Sequence, residues 1–390
     1  MKTIAIIPAR GGSKRIERKN VKPFAGLPVI AYSIKAALAA GCFDTVMVST
    51  DDPEIAATAE SFGAEVPFLR SAATSDDFAT TADVLREVID EYGRRGVRFD
   101  ALACIYATAP FVTPERLREA WEMLEAGKCG AAFTCVEYSY PIQRSLKIDA
   151  DGMIRMNCPE FRNARSQDLA KTYHDAGQFY LSTIDSFLRS GSLWGEKTMP
   201  VILPETEVQD LDTPTDWRLA EIKYALLMPP REIRVGDYRL VAYPWLDAET
   251  SELMRRGRNF EEIRRQMVNR DEIAREGHEK FRERLLFSRD RQYYAVYRQD
   301  EAKPIGSVTL ESLGDGAVER GVWLFPENQG KGHAGRMLRA LYAWLAAERG
   351  VHEVMTRVRR CNEASLALER SLGAELRSSD PDYHYFSTRL

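Results

Sequence analysis

Short apolar runs alternate with longer amphipathic stretches over roughly the first 227 residues, and this alternation constrains the fold more than any other feature of the chain. The apolar runs include TIAIIPA, DTVMVST, ALACIYAT and AAFTCVEY, and the stretches between them include VIAYSIKAALAAG, PEIAATAESFG and PERLREAWEMLEAG. Alternating strands and helices fold into a mainly parallel sheet covered by helices. The sequence therefore predicts an α/β domain with a doubly wound, Rossmann-like sheet, in which a ligand lies at the carboxyl ends of the strands.

The pattern changes near Met228, where the string MPPREIRVGDY carries two adjacent prolines. Beyond it, a charge-rich helical region from Ala248 to Leu286 precedes YYAVYRQDEAKPIGSVTLES, which is typical of an antiparallel hairpin. A strand in AVERGVWLFP and an amphipathic helix in RMLRALYAWLAAE follow. We expect two domains, residues 1–228 and 233–390, the second of α+β class, because 390 residues exceed the usual size of one domain.

The charge balance excludes some classes of partner. Lys and Arg number 54 against 58 Asp and Glu, a net charge of -4, so no overall attraction to nucleic acid or to an anionic membrane is expected. The opening MKTIAIIPAR is too short an apolar stretch for a signal peptide or membrane span, because Pro8 and Arg10 interrupt it. We expect a cytoplasmic protein in which phosphate binding is local.

A candidate phosphate site directly follows the first predicted strand. The segment IIPARGGSKRIERKN combines two glycines with five cationic side chains, so backbone amides and positive charge can surround a triphosphate. It contains neither the P-loop string G-x-x-x-x-G-K-[ST] nor the dinucleotide fingerprint G-x-G-x-x-G. Taken alone, such a string is more often a solvated basic turn.

Two aspartates form a candidate metal site. In EVQDLDTPTDW, Asp210 and Asp212 follow a strand-like run, and residues two apart on an extended chain point to the same side. Mg²⁺ usually takes one or two carboxylates together with phosphate oxygens and water. Thr213 and Pro214 also fit the cap and first position of a helix, and the two interpretations are compatible.

Several strings together resemble the CMP-sugar synthetases, nucleotidyltransferases that use CTP to activate sialic acids and related sugars. PARGGSKRIERKN, FAGLPVIAYSIKAAL and VMVSTDD carry the resemblance, and EVPFLR, SDDFATT, CIYATAPF, PIQR and RSQDLAKTYHDAGQFY are most like the branch acting on pseudaminic acid. The resemblance implies a homodimer that transfers CMP to an acidic nine-carbon sugar, with Mg²⁺ on Asp210 and Asp212. It assigns catalysis to Arg10, Lys14, Asp210 and Asp212, and nucleotide binding to Arg10, Gly11, Gly12, Ser13, Lys14, Lys19, Asn20, Arg70, Ser75, Asp76 and Asp77.

The same resemblance implies a sugar site. Arg165 is expected to bind the sugar carboxylate because its planar fork matches two oxygens. Where sialic acid members typically read Q-P-T-S-P, this chain has Tyr106 to Pro110, which lacks the Gln those members use on the sugar and argues against ordinary sialic acid. Legionaminic acid, N-acetylneuraminic acid and Kdo remain alternative substrates. The other implied sugar-binding residues are Thr108, Gln167, His174, Asp175, Gln178 and Phe179.

The second domain contains GKGHAG, a literal match to the dinucleotide fingerprint, but too few residues follow it for a Rossmann domain. ENQGKGHAGRMLRAL and TRVRRCNEASLALERSLGAEL better resemble the Gcn5-related N-acetyltransferases (GNAT). That resemblance implies acetyl-CoA as co-substrate and an amino-sugar nucleotide as acceptor; the implied acetyl-CoA contacts are Gln329, Gly330, Lys331, Gly332, His333, Ala334, Gly335, Asn362 and Ser365.

One position departs from the GNAT pattern. Glu369 stands where many members have a Tyr that protonates the leaving thiolate, so the general acid is open between Tyr383, Tyr385 and none. A non-catalytic acyl-CoA-sensing or dimerisation module is the alternative interpretation.

Overall fold

The computed structural model describes residues 1–76, 78–195 and 197–390, and it divides into two units, Met1–Leu227 and Met228–Leu390. The strands of the first unit are β1 (Thr3–Pro8), β2 (Pro23–Phe24), β3 (Leu27–Pro28), β4 (Thr45–Ser49), β5 (Ala101–Ile105), β6 (Ala131–Glu137), β7 (Leu146–Ile148), β8 (Ile154–Met156), β9 (Tyr173–Thr183) and β10 (Thr198–Leu203). Its helices are α1 (Val29–Ala40), α2 (Pro53–Ser61), α3 (Thr81–Arg94), α4 (Pro114–Glu125), α5 (Ile184–Ser190) and α6 (Pro214–Leu227).

The main sheet of the first unit has the strand order β10-β6-β9-β5-β1-β4. Strand β9 is antiparallel to β5 and β6, and the other neighbouring pairs are parallel. The central strands read as continuous apolar runs because helices cover them. Ile4 and Ile6 of β1 pack with Leu85 and Val88 of α3, for example. The predicted α/β class with a mainly parallel sheet is confirmed.

The second unit is built on an eight-stranded sheet of order β11-β12-β13-β14-β15-β16-β18-β17. These strands are β11 (Glu232–Val235), β12 (Tyr238–Ala242), β13 (Arg291–Arg298), β14 (Gly306–Gly314), β15 (Ala317–Leu324), β16 (Glu353–Arg359), β17 (Glu375–Ser379) and β18 (Tyr383–Arg389). The helices are α7 (Ala248–Asn259), α8 (Glu261–Arg264), α9 (Arg275–Leu285), α10 (His333–Arg349) and α11 (Glu363–Ser371).

The second sheet is antiparallel apart from its middle. Strands β15 and β16 are parallel and pair through Ala317–Glu319 and Glu353–Met355. Helix α10 packs against the sheet through Met337, Leu338 and Leu341, which share one helical face. The predicted hairpin, strand and helix of an α+β unit are confirmed in β13–β14, β15 and α10. Within the described residues, no helix is both long and apolar enough to span a membrane.

Candidate functional site

A cavity of about 390 Å³ lies beyond the carboxyl ends of β1 and β5. This is the edge at which open α/β sheets bind their ligands, because the loops leaving neighbouring strands meet there. Most of its wall comes from the basic segment after β1, which was predicted to bind phosphate. The lining residues are Pro8, Arg10, Ser13, Lys14, Arg15, Lys19, Asn20, Tyr106, Ala107, Thr108 and Asp212.

The basic segment is held in place by hydrogen bonds. The Asn20 side-chain amide donates to the Arg10 carbonyl at 2.9 Å, and the Gly11 amide donates to Asp51 Oδ1 at 2.9 Å. A Cβ atom added to Gly11 would lie 2.6 Å from Asp52 Oδ2, whereas one added to Gly12 would meet no atom within 4 Å. Asp52 cannot easily move away, since its carboxylate caps α2. Position 11 therefore requires glycine, because Asp52, which follows the end of β4, leaves no room for a side chain there.

Among the described residues, Asp212 is the acidic side chain that lines the cavity. Its oxygens pair with Arg15 at 2.9 Å and with Lys19 at 3.4 Å. Asp210 is exposed and lies off the wall, and the intervening Leu211 is fully buried. Both aspartates thus face away from the core on either side of Leu211, as the spacing of two predicts. Thr213 and Asp216 form reciprocal hydrogen bonds at the start of α6, so the capping interpretation also holds.

The donor set suits Mg²⁺ rather than a metal that needs many protein ligands. Within the described ranges no group of three or more His, Cys, Asp or Glu side chains could hold an ion. Asp212 on the cation-lined wall, together with the exposed Asp210 two residues before it, supplies the one or two carboxylates that Mg²⁺ takes from a protein. The chemistry of Asp210 and Asp212 is therefore compatible with Mg²⁺, and their role as its ligands stays a prediction.

Asp76, one of the residues expected to bind nucleotide, contacts the basic loop, because Arg10 donates to the Asp76 carbonyl at 3.2 Å. Arg70 is only 8 % exposed and donates to the Ser49 hydroxyl and carbonyl at the end of β4. Burial lowers the pKa of this guanidinium. The Ser75 hydroxyl donates to the Ser71 carbonyl at 2.7 Å. Asp77, also expected to bind nucleotide, lies outside the described residues.

The residues expected to bind sugar are dispersed. Of this set, Thr108 lines the cavity, while Arg165, Gln167 and His174 are exposed and off its wall. Gln178 and Phe179 lie inside β9. The Gln178 side-chain amide donates to the Glu207 backbone carbonyl at 2.6 Å, and Phe179 is fully buried. Tyr106, which sequence reasoning left unassigned, lines the cavity; its place directly after β5 is the signal that could have identified it.

In the second unit, the glycine-rich loop leads into the N-terminus of α10. Gly330 and Gly332 have φ angles of 71° and 73°, in the left-handed region that favours glycine. Lys331 and Arg336 are exposed beside the first amides of the helix, an arrangement that favours an anion such as a pyrophosphate. Gln329 instead donates to the Leu324 carbonyl at 2.9 Å.

The other residues of the expected acetyl-CoA set have local structural roles. His333 is 8 % exposed, with Nδ1 3.0 Å from the Tyr238 hydroxyl. Asn362 caps α11 by accepting from the Ser365 amide at 3.1 Å. Ala334 and Gly335 lie in the first turn of α10. The loop and the helix N-terminus, rather than these side chains, offer the groups that favour an anion.

Glu369 forms a buried ion pair. Its two oxygens lie 2.8 and 3.0 Å from Arg320 Nη2, and the Tyr342 hydroxyl accepts from the same guanidinium at 3.0 Å. Both charged side chains are at most 3 % exposed. Tyr385 donates its proton to Asp380 at 2.7 Å, and the Tyr383 hydroxyl accepts from Arg359 at 2.9 Å. Glu369 is therefore placed to neutralise Arg320 rather than to deliver a proton.

Known protein families match each of the two units. Residues 4–178 match the family model described as cytidylyltransferase, and residues 237–375 match the acetyltransferase (GNAT) domain. A pseudaminic acid cytidylyltransferase of Campylobacter jejuni is 40% identical over 224 residues, which cover 57% of this chain and 97% of that protein.

Two further relatives differ in name or in length. A CMP-N,N'-diacetyllegionaminic acid synthase of Legionella pneumophila is 37% identical over 233 residues, covering 57% of this chain and 95% of the relative. A Helicobacter pylori protein named pseudaminic acid cytidylyltransferase and UDP-2,4-diacetamido-2,4,6-trideoxy-beta-L-altropyranose hydrolase is 31% identical over 230 residues, 59% of this chain and 43% of its own length. The expected resemblance is thereby confirmed: the chain belongs to the cytidylyltransferase family and carries a GNAT acetyltransferase domain in its second unit.

Proposed function

We propose that the first unit transfers CMP from CTP to pseudaminic acid and releases pyrophosphate. The observation that carries this proposal is the cavity at the strand ends, whose wall combines Arg10, Lys14, Arg15 and Lys19 with the carboxylate of Asp212. A triphosphate and an acidic sugar bring concentrated negative charge, so the reaction needs fixed positive charge around the phosphorus. CTP is a cytoplasmic metabolite, and we place the reaction in the cytoplasm.

The reaction follows from these charges. The anomeric hydroxyl of the sugar attacks the α-phosphorus in line, and the bond to pyrophosphate breaks. Arg10, Lys14 and Lys19 hold the phosphates and neutralise charge as it develops. Mg²⁺, held by Asp210 and Asp212, would supply further neutralisation and lower the pKa of the attacking hydroxyl. Lys19 and Arg15, which pair with Asp212, exchange that carboxylate for phosphate oxygens when CTP enters.

A panel of sugars tests the substrate. We expect purified protein with CTP and Mg²⁺ to release pyrophosphate fastest with pseudaminic acid, and more slowly with N,N'-diacetyllegionaminic acid, N-acetylneuraminic acid and Kdo. The identity to the C. jejuni relative supports this ranking, and that to the L. pneumophila relative makes the legionaminic acid the second candidate. Faster release with any other sugar of the panel would contradict the assignment.

The loop geometry gives a paired prediction. Gly11→Ala places a methyl group against Asp52 and displaces the phosphate loop, and we expect kcat/KM for CTP to fall by about ten- to a hundredfold. Gly93→Ala in α3, off the cavity wall, is the matched control, since its added Cβ meets open space. Steady-state kinetics on both variants measures the difference. Equal activities would show that the approach of Gly11 to Asp52 does not position the loop.

For the second unit we propose acetyl transfer from acetyl-CoA to the amino group of a sugar nucleotide. The match to the GNAT family and the glycine-rich loop at the N-terminus of α10 support it. The paired Glu369 favours a second candidate, an acyl-CoA-binding module without catalysis. Thiol release from acetyl-CoA in the presence of a 4-amino-sugar nucleotide distinguishes them: release supports the transferase, and calorimetric binding of acetyl-CoA without release supports the module.

We also propose that the protein is a homodimer joined through the β7–β8 hairpin. The two strands pair Ile148 with Ile154, and both side chains are well exposed, at 74% and 66%. An isolated two-stranded hairpin with an apolar face gains stability when another surface covers it. We expect Ile148→Asp to convert a species of twice the chain mass to a monomer in size-exclusion chromatography with light scattering. Lys147→Asp, on the opposite face of the same strand, is the control; a dimer in both variants would place the interface elsewhere.

A further inference from the structure

The connection between β10 and α6, residues 204–213, carries both aspartates of the proposed Mg²⁺ site. Asp210 and Asp212 stand near its end, and Leu211 between them is fully buried in the apolar cluster that contains Trp217 of α6. Leu211 anchors the pair at one point, but a carboxylate moves with any shift of the backbone beside it. The contacts of the residues before Asp210 therefore decide how precisely the pair is placed.

A lysine of α6 reaches back to those residues. Lys223 Nζ donates to the Val208 carbonyl at 2.7 Å and to the Glu205 carbonyl at 3.3 Å. Hydrogen bonds from an ammonium group are charge-assisted and about twice as strong as those between neutral groups. Lys223 thus ties the segment that precedes the aspartates to the helix that follows them.

Two other side chains hold Glu207, in the middle of the same segment. The Gln178 side-chain amide of β9 donates to the Glu207 carbonyl at 2.6 Å, and Arg116 Nε of α4 lies 3.8 Å from a Glu207 carboxylate oxygen. Glu207 is 6% exposed, so these contacts are largely shielded from solvent. Contacts from β9, α4 and α6 therefore fix residues 205–208, which do not themselves line the cavity.

A Mg²⁺ site depends on precision of this kind. Mg²⁺ demands near-ideal octahedral geometry at about 2.0–2.1 Å, so its carboxylates have to be held in place before it binds. We propose that Lys223 is a positioning residue for Mg²⁺ in CMP transfer. By holding the carbonyls of Glu205 and Val208, it sets the backbone position from which Asp210 and Asp212 reach the ion. This inference rests on the proposed CMP transfer and on its use of Mg²⁺.

The contribution of Mg²⁺ to CTP binding tests this role without turnover. Calorimetric titration of the full chain with CTP, in the absence of sugar, gives one dissociation constant in excess Mg²⁺ and another in a chelator. We expect Mg²⁺ to tighten CTP binding by the wild type, and Lys223→Met to lose about tenfold of that gain. The dissociation constant in the chelator should stay within about twofold, because Lys223 does not line the cavity.

Two variants of α6 are the controls. Lys223→Arg keeps a cationic donor on a stem of similar length, and it should retain most of the gain from Mg²⁺. Arg218→Met removes a cation from an exposed position of the same helix and should leave both dissociation constants unchanged.

Hydrogen exchange of the metal-free, full-length protein is a second measurement. The Glu207 amide donates to the Pro204 carbonyl at 2.9 Å, and the Val208 amide donates to the Glu205 carbonyl at 3.2 Å. These bonds open more often once the ammonium no longer holds the segment. In Lys223→Met we therefore expect faster exchange in peptides that cover residues 204–212, and unchanged exchange in peptides from β1.

Each outcome decides a different point. If Mg²⁺ tightens CTP binding equally in the wild type and in Lys223→Met, this inference is overturned and the proposed function stands. Weaker CTP binding by Lys223→Met in Mg²⁺ and in chelator alike would also overturn it, by showing a general distortion of the cavity. Unchanged exchange of residues 204–212 would contradict the tether itself. A wild type that gains no CTP affinity from Mg²⁺ would overturn the proposed use of Mg²⁺, and this inference with it.

Discussion

Replacing Asp212 by Asn is expected to lower kcat for CMP transfer by about a thousandfold, which is a loss of roughly 4 kcal/mol of transition-state stabilisation. Among the described residues Asp212 is the carboxylate on the cavity wall, so its loss removes the metal ligand that we propose for the cavity. It also leaves Arg15 and Lys19 without the partner that holds them at the cavity in the absence of CTP. Pyrophosphate release at saturating CTP, sugar and Mg²⁺ measures the effect.

Two comparisons sharpen this prediction. Asp210→Asn should cost less than Asp212→Asn, because Asp210 is exposed and lies off the cavity wall. Glu221→Gln removes an exposed carboxylate of α6 that does not line the cavity, and it should leave kcat unchanged. The wild type should also gain thermal stability from CTP with Mg²⁺, and the Asp212 variant should gain much less. Near wild-type turnover by Asp212→Asn would remove this residue from the metal site.

Removing the carboxylate of Glu369 is expected to destabilise the second unit by about 3 to 5 kcal/mol, because Glu369→Ala leaves the buried Arg320 charge without its partner. Burial acts to lower the pKa of Arg320, but Tyr342 and Glu369 together raise it above the ordinary value. The guanidinium therefore stays charged and cannot avoid the penalty by losing its proton. Native-state hydrogen exchange of the full chain, followed in peptides from β15 and α11, measures the local loss.

The double variant Arg320→Met with Glu369→Leu is the matched control. It replaces the whole ion pair by apolar side chains, and exchange of an entire buried pair is often close to neutral. We expect it to recover most of the protection lost in Glu369→Ala. A Glu369→Ala variant as well protected as the wild type would contradict the structural role given to this residue.

The α/β architecture of the first unit could be predicted because its strands are short and apolar throughout. Such runs are stable only when helices cover both faces of the sheet, and the amphipathic stretches between them supply those helices. The reversed direction of β9 was not predictable in the same way. It depends on hydrogen bonds with β5 and β6, from which β9 is distant in sequence.

The positions of some residues of the candidate site could likewise be predicted from local sequence, and those of others could not. The basic loop after β1 and Asp212 were expected together at the strand ends, since loops that leave parallel strands meet at one edge. By contrast, Gln178 and Phe179 belong to a motif-like string, yet β9 places one against Glu207 and the other in the core. The partner of Glu369 could not be predicted either, because Arg320 lies 49 residues away and meets it only in the folded unit.

The most direct test of the account is ³¹P NMR of the full chain with CTP, Mg²⁺ and pseudaminic acid, run beside Asp212→Asn. The account predicts that the triphosphate signals of CTP decay while a single phosphodiester signal and that of pyrophosphate grow in equal amounts, and that the variant shows neither within the same time. Unchanged CTP signals with the wild type, or release of inorganic phosphate in place of the phosphodiester, would contradict CMP transfer as the reaction of the first unit.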